Sequence, residues 1–352
     1  MWRVSLAFFS HRAALYLVAL LAINASMAPK QFPANRSLPI LQPLGLLDRY
    51  LSARISEVPE VRILNELRHQ PLIETFQRQS HPYFWVGRVW MGMTGSTGLS
   101  AVFILSNLFF LLFLFELYKL LNLIVTTDIS RAALYLAVFW PTSYELSLGS
   151  QVSLTCLLTT FCIRMAVEQT WWGVGLAGAL LLGAEPWFVG LMPLLALVFW
   201  TIQKHSPNRV MLTRAAMFLG PIAAVFLWQY SSRGLPSPGS GAGATLLGWV
   251  GNGNFGKLFQ GIYTAQVLSF LLFFVGAATS LFSHGNWFYR VAPLWLLVCL
   301  VAWTPLDALA SKLLVASICL EGVASLSSPT MNKTLQVAMW ILGIWEVYNV
   351  FR

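Results

Sequence analysis

The chain has 352 residues, 57% of them hydrophobic and 10% charged, with a mean hydropathy of +0.68. That excludes a water-soluble globular domain, whose charged share is about a quarter. The formal net charge of +9, from 22 Lys+Arg against 13 Asp+Glu, comes without a basic-aromatic nucleic-acid module, so the surplus is assigned to membrane topology and anionic headgroups. The four cysteines, Cys156, Cys162, Cys299 and Cys319, lie inside apolar blocks without CxxC or Cys/His spacing, which argues against a disulfide framework or a zinc site.

Apolar blocks of membrane-spanning length begin at 11–28, which follows Arg3 and Arg12 and ends in the cleavage-like Ala25-Ser26-Met27-Ala28. The many spans that follow favour an uncleaved first helix. Further spans are expected at 98–122, 130–147, 149–167, 171–184, 187–202, 211–230, 262–283, 291–304, 308–326 and 333–350. The expected fold is an all-α polytopic membrane protein of about eleven transmembrane helices in a single domain, 1–352. Glu185-Pro186 breaks the pair 171–184 and 187–202 into half-length helices or one bent segment, a break that needs surrounding protein at membrane depth.

Arg3, Arg12, Lys119, Arg131, Arg164, Lys204, Arg209, Arg214, Arg290 and Lys333 fall at the cytoplasmic ends of this arrangement. The later outer segments hold only Arg233, Lys257, Lys312 and Arg352. This bias places the N-terminus in the cytoplasm and the C-terminus outside.

Two outer segments are long. Residues 29–97 are rich in charge, and Leu47, Tyr50, Leu51, Ile55 and Val58 recur there at helical spacing, as Leu72, Ile73 and Phe76 do more briefly. That pattern predicts amphipathic helices on the membrane surface. Residues 231–261, with Gly234-Leu235-Pro236-Ser237-Pro238-Gly239, read as a Gly/Ser/Pro-rich outer loop.

Within 98–203, Ile104-Leu105-Ser106-Asn107-Leu108 opens a long apolar helix that closes on Leu117-Tyr118-Lys119-Leu120. Phe139-Trp140-Pro141-Thr142-Ser143-Tyr144, Gly178-Ala179-Leu180-Leu181, and Glu185-Pro186 before Leu191-Met192-Pro193-Leu194 follow in order. In order and spacing this stretch resembles the PIG-V-like family of GT-C glycosyltransferases. The resemblance implies a GT-C-like helical bundle and transfer of a sugar, mannose in that family, from a polyprenyl-phosphate donor to an acceptor hydroxyl at the outer membrane face.

The resemblance implies a carboxylate in the first outer loop as the base, and Asp48, in Leu47-Asp48-Arg49-Tyr50-Leu51, is the candidate; the alternative is a helix cap or an ion pair with a nearby arginine. Glu57 and Glu60 are substitutes, or a solvated helix end. Arg49, Arg54, Arg88 and His81 are candidates for the donor's phosphate and sugar, with headgroup anchoring as the other explanation of the arginines. Tyr83-Phe84-Trp85 reads as an interfacial belt.

Departures from the family are specific. The tryptophan before the aspartate is Leu47, and no histidine follows soon after it. Ser150-Gln151-Val152-Ser153 stands where relatives carry Tyr-x-Glu, with Glu145 as a substitute in substrate binding. Ala184-Glu185-Pro186 stands where relatives carry Thr-Arg-Pro. Glu185 is expected at the surface, the simpler choice, or paired with a cation such as Arg88; in the cavity it would meet substrate. Glu116 and Glu321 read as snorkelling or helix-pairing carboxylates.

No bound cofactor or protein metal site is expected, while a divalent ion assisting the departing phosphate is compatible with the chemistry. The partners implied are a lipid-linked sugar donor, membrane lipids and, if the chain is instead an inactive scaffold, a membrane protein complex. The membrane is a bacterial inner membrane or an endoplasmic reticulum.

Overall fold

The computed structural model describes residues 2–31, 59–72, 74–75, 79, 81–144, 150–185, 187–204, 206–233, 264–283, 287–304, 312–326 and 328–351. All regular structure among them is helical: α1 (Trp2–Gln31), α2 (Pro59–Leu67), α3 (Pro82–Thr94), α4 (Gly98–Ile124), α5 (Thr127–Val138), α6 (Val152–Val167), α7 (Trp171–Ala184), α8 (Phe188–Gln203), α9 (Asn208–Arg233), α10 (Thr264–Ser283), α11 (Trp287–Trp303), α12 (Cys319–Leu326) and α13 (Pro329–Phe351). Short 3₁₀ turns lie at Pro141–Tyr144 and Leu313–Ala316. Among the described residues two helices are long and apolar enough to cross a membrane, Gly98–Ile124 and Asn208–Trp228, and five shorter apolar ones accompany them.

Helix limits follow local chemistry. α3 opens on His81, whose Nδ1 accepts the Tyr83 N–H, with Pro82 at the first helical position, where its missing N–H costs nothing. It closes on Gly95 at φ 68°, the left-handed conformation that glycine adopts without strain. Thr97 then caps α4 by accepting the Ser100 N–H. α5 stops at Val138 rather than running to 147, because Trp140-Pro141 turns the chain into a 3₁₀ segment. The expected span 308–326 is likewise not one helix over the residues described, since a 3₁₀ turn precedes α12.

α2 buries Val61, Leu64 and Leu67 in a cluster with Tyr83, Phe84, Val102 and Leu105. This segment of the long charged stretch is therefore packed on protein. Asn65 Oδ1 accepts the Gly98 N–H at 3.1 Å, which holds α2 at the start of α4. The expected surface helix around residues 47–58 lies outside the described residues.

Elsewhere helices approach closely through small residues. A Cβ on Gly175 of α7 would collide with the carbonyl oxygen of Met217 on α9. On Gly276 of α10 it would collide with the Cys319 carbonyl of α12, and Gly322 meets the Gly276 carbonyl in return. Small residues at such crossings let two helix backbones come into direct contact. Gly175→Leu is expected to separate α7 from α9 and cost about 1–3 kcal/mol, read as a lower midpoint in detergent unfolding; an unchanged midpoint would refute the contact.

Buried charge is paired across helices. Arg164 of α6 donates from Nε to Glu116 of α4 at 2.6 Å and also pairs with Glu168, while Lys119 completes the group. Glu321, 1% exposed, accepts from Ser280 and Ser325. Both carboxylates thus pair helices, one of the two roles expected of them.

Candidate functional site

A group of buried polar side chains forms where α3 begins, α6 begins and α7 gives way to α8. Glu185 is 3% exposed. Both of its carboxylate oxygens accept from Lys312 Nζ, at 3.0 and 2.7 Å. The expectation of a surface-exposed Glu185 is corrected, and so is the choice of Arg88 as its cation. Burial of an unpaired carboxylate is costly, and the ammonium 127 residues away supplies the countercharge. Arg88 instead donates from Nε and Nη2 to the Gln70 carbonyl at 3.3 and 3.0 Å.

A hydrogen-bonded line extends from this pair. Thr155 Oγ1 donates to Glu185 Oε1 at 3.4 Å and stands 3.5 Å from His81 Nε2. Because His81 Nδ1 accepts from Tyr83, the neutral ring carries its proton on Nε2, facing Thr155. Burial, helped by the Lys312 charge, lowers the His81 pKa to about 3, so the ring is neutral at ordinary pH.

A second line lies beside it. Tyr83 is fully buried; its hydroxyl donates to the Val102 carbonyl at 3.1 Å and meets Ser106 Oγ at 2.8 Å. Ser106 in turn reaches the Ser150 carbonyl at 3.4 Å. Tyr83 therefore serves the core rather than an interfacial belt, and burial raises its phenol pKa. Glu60 completes the group: its carboxylate accepts the Gln151 N–H, yet desolvation outweighs this and raises its pKa. Residues 150–155 at the start of α6 are the junction between the two lines.

No family model, curated protein or solved structure matches this chain. Its chemistry is therefore argued from the geometry.

Of the site residues expected from sequence, His81 and Glu185 come together through Thr155, and Arg88 does not join them. Asp48, Arg49, Arg54 and Glu145 lie outside the described residues. Lys312, Thr155 and Tyr83 were missed as site residues. The signal for Lys312 was a lone ammonium inside an apolar block, which implies a buried anion elsewhere; Glu185, at the break between two apolar helices, was one such acid. Among the described residues no group of three or more His, Cys, Asp or Glu is placed to hold a metal ion, and the four cysteines are buried free thiols.

The arrangement holds two carboxylates in contrasting surroundings. Glu185 lies 2.7 Å from the Lys312 ammonium, while burial biases Glu60 toward its protonated form. The indole N–H of Trp187, two residues beyond Glu185, is buried without a hydrogen-bond partner among the described residues.

Proposed function

We propose that this chain is a polytopic membrane glycosyltransferase of the GT-C type, with about eleven spans and a cytoplasmic N-terminus. It transfers a sugar, mannose by the family resemblance, from a polyprenyl-phosphate donor to an acceptor hydroxyl at the outer face of a bacterial inner membrane or endoplasmic reticulum. The observation that carries this reading is the convergence of His81, Thr155, Glu185, Lys312 and Glu60 on helix ends that the charge pattern assigns to one side, the outer one.

The chemistry needs a base on the acceptor and a cation on the leaving group. A carboxylate takes the acceptor's proton, the acceptor oxygen bonds to the anomeric carbon, and the bond to phosphate breaks with its electron pair on the departing polyprenyl phosphate. Asp48 is assigned as the base, with Glu60 as its substitute. Lys312, whose side chain is 17% exposed, is assigned the role of stabilising the phosphate. It puts an ammonium beside Glu185, where relatives carry an arginine. No resident cofactor is needed, and a divalent ion can join the phosphate without a protein cage.

A second reading rests on the same ion pair: Glu185 is neutralised and 3% exposed, as suits an inactive scaffold that binds lipid within a membrane complex. The experiment is incubation of the purified protein with polyprenyl-phosphate sugar and acceptor. Release of polyprenyl phosphate, abolished by Asp48→Asn at unchanged expression, supports the transferase. Turnover unaffected by Asp48→Asn removes Asp48 as base, and turnover seen only with a co-expressed membrane protein favours the scaffold.

A further inference from the structure

At the other end of α6 the structure has a cavity of about 670 Å³, within the range of roughly 300–1,000 Å³ typical of small-molecule sites. It is an open cavity bordered by the last turns of α6 and α8 and the first turn of α11. Along α6, Thr155 and Ala166 are separated by about 17 Å at 1.5 Å per residue, so this space is distinct from the Glu185–Lys312 cluster.

Its walls include Val167, Val198, Ile202 and Phe288, and none of its lining residues carries a charge. Whatever fills it is therefore uncharged where it meets these walls. The hydroxyl of Thr201 is already spent on the Leu197 and Val198 carbonyls. Gln169, an exposed residue that lines the cavity, has a side-chain carboxamide with no partner among the described residues.

The backbone of Gln169 adds an independent observation. It is the one non-glycine residue with positive φ among the described residues, at 59°. It ends α6 in a left-handed cap, where the Thr170 N–H reaches back to the Met165 carbonyl at 2.8 Å. Glycine is the usual residue there because a side chain is strained. The chain accepts that strain at a residue that lines the cavity, the pattern of a strained residue at a ligand site.

We infer that this cavity binds the ester end of a membrane glycerolipid, with acyl chain against Val198, Ile202 and Phe288 and an ester carbonyl accepting from the Gln169 carboxamide. Trp287, on the lining and 37% exposed, suits the level where acyl chains meet headgroups. This inference stands independently of the transferase reading.

The test uses the full chain in nanodiscs containing phosphatidylcholine with a photoactivatable diazirine on one acyl chain, followed by peptide mapping. Labelling is expected on the ends of α6 and α8 and the start of α11, and Val198→Trp, which fills the space, should lower it there severalfold. Gln169→Gly relieves the left-handed strain, so it should raise the thermal midpoint by about 2 °C while also lowering labelling severalfold. Labelling should be equal for choline, ethanolamine and glycerol headgroups. Absence of labelling at these helix ends, labelling unchanged in Gln169→Gly, or dependence on the headgroup overturns the inference.

Discussion

Lys312→Met is expected to destabilise the protein by about 3–5 kcal/mol, because it strands the Glu185 carboxylate, 3% exposed, without its countercharge. Glu185→Gln should cost less. The ammonium it leaves behind is 17% exposed and can turn toward water or lipid phosphate, and glutamine still accepts from Thr155. The double variant Glu185→Gln, Lys312→Met should recover much of the loss, since removing both charges also removes the desolvation they cost. Unfolding midpoints of the three variants in one detergent form a double-mutant cycle. A Lys312→Met protein as stable as the parent, or additive single effects, would mean that the two groups do not form the buried pair.

The same variants separate stability from chemistry. If Lys312 also holds the donor phosphate, the double variant should be stable yet slow in release of polyprenyl phosphate. If the pair serves only to fasten residue 312 against the turn between α7 and α8, the double variant should be both stable and as active as the parent.

What could be read in advance divides along the range of the interactions. The break at Glu185 between α7 and α8, the extent of α4 and the helical class all rest on local signals: a proline after an acid, an unbroken apolar run, and the absence of strand alternation. The first turn of α3 and its cap by His81 are local too, yet a histidine before proline is a weak cap signal, so the residue was read for its chemistry alone. The partner of Glu185 was out of reach because Lys312 lies 127 residues away, and neither apolar block marks which face it turns to the other. Tyr83 shows a different limit. An aromatic run at the edge of an apolar segment has the same composition whether it lies in lipid headgroups or, as here, against Val102 and Ser106. The glycines at 175, 276 and 322 are legible only as small residues until the carbonyl each one faces is known.

Acidification should destabilise the protein through His81. Burial beside Lys312 lowers this ring's pKa from 6.5 to about 3, so between those values the unfolded chain binds one more proton than the native one. Stability therefore rises with pH across that window, by about 1.4 kcal/mol per unit, and levels off above 6.5. Going from pH 7 to pH 5 should cost about 2 kcal/mol from this residue alone. Glu60 acts in the opposite sense: its raised pKa means that the native state holds the extra proton just above 4.5, so its contribution falls as pH rises there and offsets part of the His81 slope at the acid end. The groups facing the ring are Thr155 and, through it, Glu185, with the Lys312 charge nearby. His81→Asn keeps a side-chain acceptor at the start of α3 but removes the titrating ring. Unfolding midpoints taken at pH 5, 6 and 7 should show a rise in the parent, steeper from 5 to 6 than from 6 to 7, that this variant loses, about 2 kcal/mol in all. An equal slope in both proteins would mean that His81 is protonated in the native state, and the neutral Nε2–H directed at Thr155 would have to be abandoned.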